Sequence, residues 1–267
     1  MTSADTAVLR RDLFDETAAL QALLGGLRDD QWYLPTPAAG WDIADQIGHL
    51  AYFDEAALLS MTDPRRFRRE AAELISAGAD FPDRIAEQNR GKTGAQTLDW
   101  FRGARDALLA GYDRVDPAVR LPWYGPDMGV ASSLTARLME TWAHGQDVAD
   151  TLGVERSPSI RLRHVAHLGI RALPYSYAVN GRPLPVEPIR VALVAPDGDS
   201  WAWGPADTQN SVRGTALDFA LVVTQRRHLD DTGLVVVGST AAEWMGIAQA
   251  FAGARGPGRP PRRAVLS

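Results

Sequence analysis

Apolar residues recur at helical spacing over four long stretches of the first 155 residues. Intervals of three and four residues between apolar positions are typical of amphipathic helices that bury one face. The pattern predicts long helices over residues 5–27, 43–61, 95–115 and 132–152. Asp42 stands where an N-cap is favoured, immediately before the second of these helices. Four long amphipathic helices joined by loops predict a helical bundle.

The pattern changes after Gly153, where shorter apolar runs alternate with turn signals. Residues 189–194 alternate like a strand, and Pro-Asp-Gly-Asp at 196–199 predicts a turn into a partner strand at 200–203. Two further strands, over 211–214 and 234–237, and three helices, over 161–172, 215–226 and 241–251, follow from the same reading. This half therefore predicts a small α+β domain with a mostly antiparallel sheet.

Proline and glycine mark the predicted breaks between elements. Gly78 and Pro82 predict a break on either side of Phe81, and Pro174 opens a linker-like turn region. The end of the chain is rich in Gly, Pro and Arg, a composition that favours disorder. We expect a four-helix bundle over 1–155, an α+β domain over 156–254 and a disordered tail over 255–267.

Composition excludes several classes of protein. With 28 basic and 33 acidic side chains the formal net charge is −5, which disfavours a nucleic-acid binder. The absence of cysteine excludes disulfides, thiolate-bound metals and a catalytic thiol of the protein's own. No apolar run approaches the length of a membrane helix, and Met1–Leu13 is too polar for a signal peptide. We expect a cytoplasmic monomer or homodimer that acts on a small molecule and contacts neither membranes nor nucleic acid.

The strongest chemical signal is a pair of metal-ligand residues on the fourth predicted helix. Glu140 and His144 are four residues apart, so they lie on one helix face. His49, on the second helix, adds an imidazole and completes a His₂Glu set, a composition typical of catalytic divalent-metal sites. Asp147 falls on the same face as His144 and is expected to orient it. The alternative is that His49 is a buried histidine satisfied by a neighbouring acid.

The two segments that carry these residues resemble a known family. They read Thr36-Pro-Ala-Ala-Gly-Trp-Asp-Ile-Ala-Asp-Gln-Ile-Gly-His49 and Arg137-Leu-Met-Glu140-Thr-Trp-Ala-His144-Gly-Gln-Asp147. They resemble the DinB-like bundle of mycothiol-dependent maleylpyruvate isomerases, and residues 8–258 resemble a related actinobacterial group of metal-binding proteins. The resemblance implies a metal-binding DinB-like bundle followed by a sterol-carrier-like α+β domain. It carries the family's three ligand positions to His49, Glu140 and His144, with zinc as the first candidate ion and nickel, iron or manganese as others.

The resemblance also singles out one arginine in the second domain. In the isomerases an arginine after the long helix of that domain faces the active site, and the matching position is Arg226. A departure from the family pattern follows directly, because Arg227 and His228 come next. The planar guanidinium suits a substrate carboxylate. The alternative is an exposed helix C-terminus, where cations are favourable in any case.

We therefore expect a metalloenzyme in which mycothiol, as an external thiol cosubstrate, attacks a small electrophilic substrate that carries a carboxylate. The reaction would be an isomerisation or a thiol transfer, with Arg226 as the carboxylate anchor. One alternative uses metal-bound water for thiol-independent hydrolysis, lyase or cyclase chemistry, with Asp147 or the bound hydroxide as base. Another alternative is a non-catalytic protein that binds a metal and a small ligand.

Overall fold

Two compact units make up the chain. A computed structural model describes residues 3–262. The division falls between Met1–Arg156 and Ser157–Ser267. Both units are built mainly from helices, and a small sheet accompanies them in each.

The first unit is assembled from long helices that pack side by side. Helix α2 packs along α5 and α6, and α1 packs along α6. The helices are α1 (Ser3–Leu24), α2 (Ile43–Thr62), α3 (Pro64–Ser76), α4 (Phe81–Asn89), α5 (Gly94–Tyr112) and α6 (Val130–Leu152), with a short 3-10 helix at Asp29–Tyr33 and a two-stranded antiparallel ribbon of β1 (Arg120–Leu121) and β2 (Met128–Gly129). The apolar stripes of the long helices meet in a core that includes Leu20, Leu24, Trp32, Ile43, Ile47, Leu50, Phe101 and Val148.

Local sequence signals define where the long helices begin and end. Asp42 caps α2, because its side chain accepts a hydrogen bond from the backbone N–H of Asp45 at 2.8 Å. The predicted N-cap is therefore confirmed. Helix α6 ends at Gly153, whose φ of 66° is the left-handed conformation that glycine adopts without strain. Gly94 begins α5 at a point where a Cβ would overlap the indole ring of Trp32, so only glycine allows this contact.

Two of the predicted breaks are wrong. Pro82 lies in the first turn of α4, and Pro174 lies in the first turn of α8 (Leu173–Val179). Proline is tolerated there, because the first N–H groups of a helix have no partner within the helix and the fixed φ suits helical backbone. Both prolines therefore lie at the start of a helix, where the sequence predicts a break.

The second unit combines a four-stranded mixed sheet with short helices. The strands are β3 (Ile189–Val194), β4 (Ser200–Trp203), β5 (Asn210–Thr215) and β6 (Val235–Val237), in the order β4-β3-β5-β6. The β3–β4 and β5–β6 pairs are antiparallel and β3–β5 is parallel. The helices are α7 (Leu162–Arg171), α8, α9 (Ala216–Val223) and α10 (Ser239–Ile247). Val191, Leu193 and Val212 are buried on one face of this sheet.

The tail predicted over 255–267 is described only as far as residue 262. Within that part, the backbone N–H of Gly256 donates to Oε1 of Gln249, and that of Arg262 donates to the carboxylate of Asp231. Residues 263–267 lie outside the described residues, so disorder there stays a prediction. Among the described helices, none has the length and apolarity needed to cross a membrane.

Candidate metal centre

The candidate site lies where α2 and α6 run antiparallel. Near the start of α2, Gln46 hydrogen-bonds to His144, and three residues further on His49 lies 3.7 Å from Glu140. Later residues of α2 thus contact earlier residues of α6. Because residues three or four apart share a helix face, each helix presents two of these side chains to the other.

The three predicted metal ligands converge at this point. One ligand atom from each of His49, Glu140 and His144 lies within 4.8 Å of the other two. Nε2 of His144 is 3.1 Å from Oε2 of Glu140, and Nε2 of His49 is 3.7 Å from the same oxygen. The three side chains are 9–20% exposed, so the cluster is largely withdrawn from water.

A chain of hydrogen bonds determines which nitrogen of His144 carries the proton. The hydroxyl of Thr36 donates to the carbonyl oxygen of Trp41 at 2.8 Å. Its oxygen accepts from the amide Nε2 of Gln46 at 2.9 Å. Oε1 of Gln46 is then left to accept from Nδ1 of His144. This arrangement places the proton of a neutral His144 on Nδ1 and leaves the Nε2 lone pair directed at the cluster.

This donor set fits a divalent cation. A lone pair of His144 and a carboxylate oxygen of Glu140 face each other at 3.1 Å, so a proton or a cation must lie between them. A divalent ion would satisfy both atoms and His49 at once, and two neutral imidazoles with one carboxylate suit zinc and its neighbours. The hydrogen bond from His144 to Gln46 is the outer support that metal-binding histidines require.

His49 is held by packing rather than by a hydrogen bond. Its Nδ1 is buried, and among the described residues no hydrogen-bond partner reaches it. Its ring lies 5.2 Å from that of Trp41, 4.5 Å from that of Phe53 and 4.4 Å from that of His144, measured between centroids. Trp41 also stacks on His144 at 6.1 Å. Two aromatic rings therefore wall the imidazoles and restrict the access of water.

The electrostatics of the cluster favour deprotonated ligands. Burial lowers the pKa of His49 from 6.5 to about 4. The electrostatic interactions with His144 and Arg137 also lower this pKa, whereas Glu140 raises it. Burial alone would raise the pKa of Glu140. The interactions with His144 and His49 outweigh that effect, and the pKa of Glu140 lies well below its usual range. A neutral imidazole and an ionised carboxylate are the forms that bind metal.

Gln46 orients the ring of His144 through the hydrogen bond at Nδ1. Asp147 is fully buried on α6, but the two ring nitrogens of His144 pair with Gln46 and Glu140. Sequence reasoning missed Gln46, although its spacing of three residues from His49 on one helix was a usable signal. Arg226 lies in the second unit just after α9, where its Nη1 donates to the carbonyl oxygen of Thr224 at 2.7 Å. A catalytic role for Asp147 or Arg226 stays a prediction.

Known proteins resemble the chain in amino-acid sequence and in fold. Two uncharacterized proteins of Mycobacterium tuberculosis, from strains H37Rv and CDC 1551, are each 46% identical over 260 residues, which is 96% of this chain and 100% of theirs. Two crystal structures share the fold with a TM-score of 0.60, at 13% and 14% identity. They are the mycothiol-dependent maleylpyruvate isomerase, covering 88% of this chain and 93% of that one, and a histidine-to-alanine mutant of it, covering 86% and 92%.

The sequence from the middle of α1 to the last turn of α6 assigns the family. Residues 13–149 match the family described as the mycothiol maleylpyruvate isomerase N-terminal domain. That segment is about half of the chain and contains His49, Glu140 and His144. The chain belongs to the mycothiol maleylpyruvate isomerase family.

Proposed function

We propose that the protein is a metal-dependent enzyme of the mycothiol-dependent isomerase or thiol-transferase type. Its first unit would be a DinB-like metal-binding bundle, and its second a sterol-carrier-like domain. The observation that carries the proposal is the convergence of His49, Glu140 and His144 within 4.8 Å. Family membership supports the thiol-dependent chemistry.

When bound, a divalent ion, zinc first, would hold the sulfur of mycothiol as a thiolate for addition to an electron-poor double bond. The carbon–sulfur bond that forms in this addition breaks again after rotation about the new single bond, so substrate and product are isomers and the thiol is regenerated. If the adduct takes up a proton instead, the product is a thiol conjugate. The small substrate would carry a carboxylate or a carbonyl group that activates the double bond.

The residues of the chain would hold and shield the reacting groups. Gln46 orients His144 through Nδ1, and the rings of Trp41 and Phe53 flank His49. Exclusion of water strengthens electrostatic interactions at such a site and limits proton transfer to the adduct. Arg226 would bind the substrate carboxylate through its planar guanidinium.

The test combines metal analysis with kinetics on the full-length chain. We expect about one divalent ion per chain by inductively coupled plasma mass spectrometry. Turnover of a maleyl-type acid should require both this ion and mycothiol. His144→Ala and Glu140→Gln should lose both metal and turnover. Glu55→Gln is a matched control on α2, because Glu55 accepts a hydrogen bond from Trp100 and is not one of the three ligands. Metal-free wild type after reconstitution, or turnover without thiol, would overturn the proposal.

A further inference from the structure

Arg137 is a buried cation whose Nη1 has no hydrogen-bond partner among the described residues. It lies on α6, one turn before Glu140, and its side chain is only 4% exposed. The carboxylate it faces, Oδ1 of Asp54, is 3.7 Å away, which is longer than a hydrogen bond.

Asp54 is already matched by a different arginine. Nε of Arg105 donates to Oδ2 of Asp54 at 2.6 Å, and Nη2 of Arg105 lies 3.2 Å from Oδ1. The remaining donors of Arg105 reach the hydroxyls of Thr17 and Thr141. One buried carboxylate thus faces two buried guanidinium groups, and Arg105 takes both of its oxygens. Arg137 therefore shares a carboxylate whose oxygens both bind Arg105, and a buried charge with so weak a pairing is costly to keep.

This weakly paired charge lies next to the candidate metal centre. Arg137 and Glu140 are three residues apart on α6 and share one face of that helix. On the opposing helix, the ring of Phe53 lies 6.0 Å from the guanidinium carbon of Arg137 and 4.5 Å from the ring of His49. The pair of Phe53 and Arg137 thus continues the antiparallel series that pairs Gln46 with His144 and His49 with Glu140.

We propose that Arg137 binds a carboxylate of the substrate beside the metal centre. The inference rests on the proposed function, because it assumes that Glu140 binds the ion. The negative charge of Glu140 would then offset part of the charge of the ion, so the positive charge of Arg137 would be available to bind an anion. A guanidinium offers two parallel N–H groups to the two oxygens of a carboxylate. The ligand class is therefore a small acid whose carboxylate is bound within the first unit, by a residue other than Arg226.

Binding of maleate, without thiol, to the zinc-reconstituted full-length protein tests this proposal. By isothermal titration calorimetry, we expect Arg137→Met to raise the Kd for maleate by about 10- to 150-fold, the range for a lost charge-assisted contact. The Kd of Arg137→Lys should lie between those of Arg137→Met and wild type, since an ammonium keeps the charge but lacks the two parallel N–H groups of a guanidinium. Arg68→Met is the matched control, because Arg68 is exposed and paired with Asp127, and its Kd should equal that of wild type. Dimethyl maleate, which carries no charge, should not distinguish wild type from Arg137→Met.

Thermal unfolding separates this role from a structural one. We expect Arg137→Met to melt at or above the wild-type temperature, because within residues 3–262 the buried Nη1 makes no hydrogen bond and its contact with Asp54 is long. Arg105→Met should melt well below it. An unchanged Kd for maleate in Arg137→Met, or a large fall in its melting temperature, would overturn the proposal. If Arg137→Met does not fold, Arg137→Lys decides, and wild-type affinity in that variant would overturn the proposal.

Metal content keeps this test separate from that of the proposed function. Wild type that binds no zinc contradicts the proposed function before Arg137 is tested. Zinc-loaded wild type with thiol-dependent turnover, together with an unaltered Kd in Arg137→Met, would contradict only the role of Arg137.

Discussion

Gln46 uses both ends of its side-chain amide. Nε2 donates to Thr36 and Oε1 accepts from His144, so the amide can take only one orientation in this chain of hydrogen bonds. The carbonyl oxygen of Trp41 terminates the chain. The loop before α2 therefore controls the tautomer of a histidine that lies about 100 residues away in the sequence. Support of this kind raises the basicity of a metal-binding imidazole and restricts its rotation.

Replacement of Gln46 tests this support. Gln46→Leu removes the acceptor of the Nδ1 proton, and we expect the affinity for zinc to fall by about 10- to 100-fold. Competition with a chromogenic chelator measures this affinity. Gln146→Leu is the control, since that amide lies on α6 and donates to Asp150 rather than to His144. Equal zinc affinities for Gln46→Leu and Gln146→Leu would contradict the role assigned to Gln46.

The lowered pKa of His49 makes the stability of the metal-free protein depend on pH. Unfolded chains bind a proton on His49 below pH 6.5, whereas the folded protein does so only near pH 4. Unfolding therefore takes up a proton in this window, and the free energy of unfolding falls as the pH drops from 6.5 to 4, by about 3 kcal/mol from this group.

Urea titrations of the chelator-treated protein at several pH values measure this dependence. His49→Gln removes the titrating group and keeps a polar side chain at this position. We expect a shallower fall in the free energy of unfolding between pH 6.5 and 4 in this variant. The same slope in wild type and His49→Gln would show that other groups cause the dependence.

At the scale of single elements, the contacts at the start of α2 fix the position of Gln46 and His49 on this helix. Asp42 and Asp45 form a reciprocal pair in which each carboxylate accepts from the backbone N–H of the other residue. Nη2 of Arg90 donates both to Asp45 at 2.8 Å and to the carbonyl oxygen of Gly40 at 2.7 Å. The end of α4 thus holds the first turn of α2 through Asp45, which is next to Gln46 and about one turn before His49.

The N-cap of α2 should therefore contribute measurably to stability. Asp42→Ala removes the acceptor for the N–H of Asp45, and we expect the free energy of unfolding to fall by about 1 kcal/mol. Asp42→Asn keeps an acceptor oxygen and should remain close to wild type. Urea denaturation measures both variants. A loss of equal size in Asp42→Asn would indicate that charge, not capping, stabilises this end of the helix.

Periodicity and spacing predicted the long helices and the ligand triad, because both follow from local positions on a helix. Glu140 and His144 share a face of one helix, and His49 is the one histidine on the predicted second helix. Gln46 was missed because its role depends on how α2 and α6 are paired, which no local pattern specifies. Arg137 was missed for a similar reason, since its weak pairing is visible only once Arg105 is seen to occupy Asp54.

At the scale of the whole molecule, the two units differ in how they are stabilised. The first buries the apolar stripes of long helices, and the second buries one face of a mixed sheet under short helices. All three candidate ligands belong to the first unit. Each unit has the apolar core that an independent domain requires.

Expression of residues 1–156 alone tests this independence. We expect a helical circular-dichroism spectrum, a cooperative thermal transition and about one zinc ion per fragment after reconstitution. The full-length chain serves as the reference for metal stoichiometry. A fragment without a cooperative transition would show that the first unit needs residues 157–267 in order to fold.

The antiparallel pairing of α2 and α6 has a consequence for internal motion. An ion held by His49, Glu140 and His144 would act as a cross-link between the two helices, with one ligand on α2 and two on α6. Sliding one helix along the other by a single residue changes its axial position by about 1.5 Å and would break the bond to His49. Zinc should therefore slow amide hydrogen exchange in both helices together, and the slowing should vanish in His49→Gln, in which only the cross-link to α2 is lost.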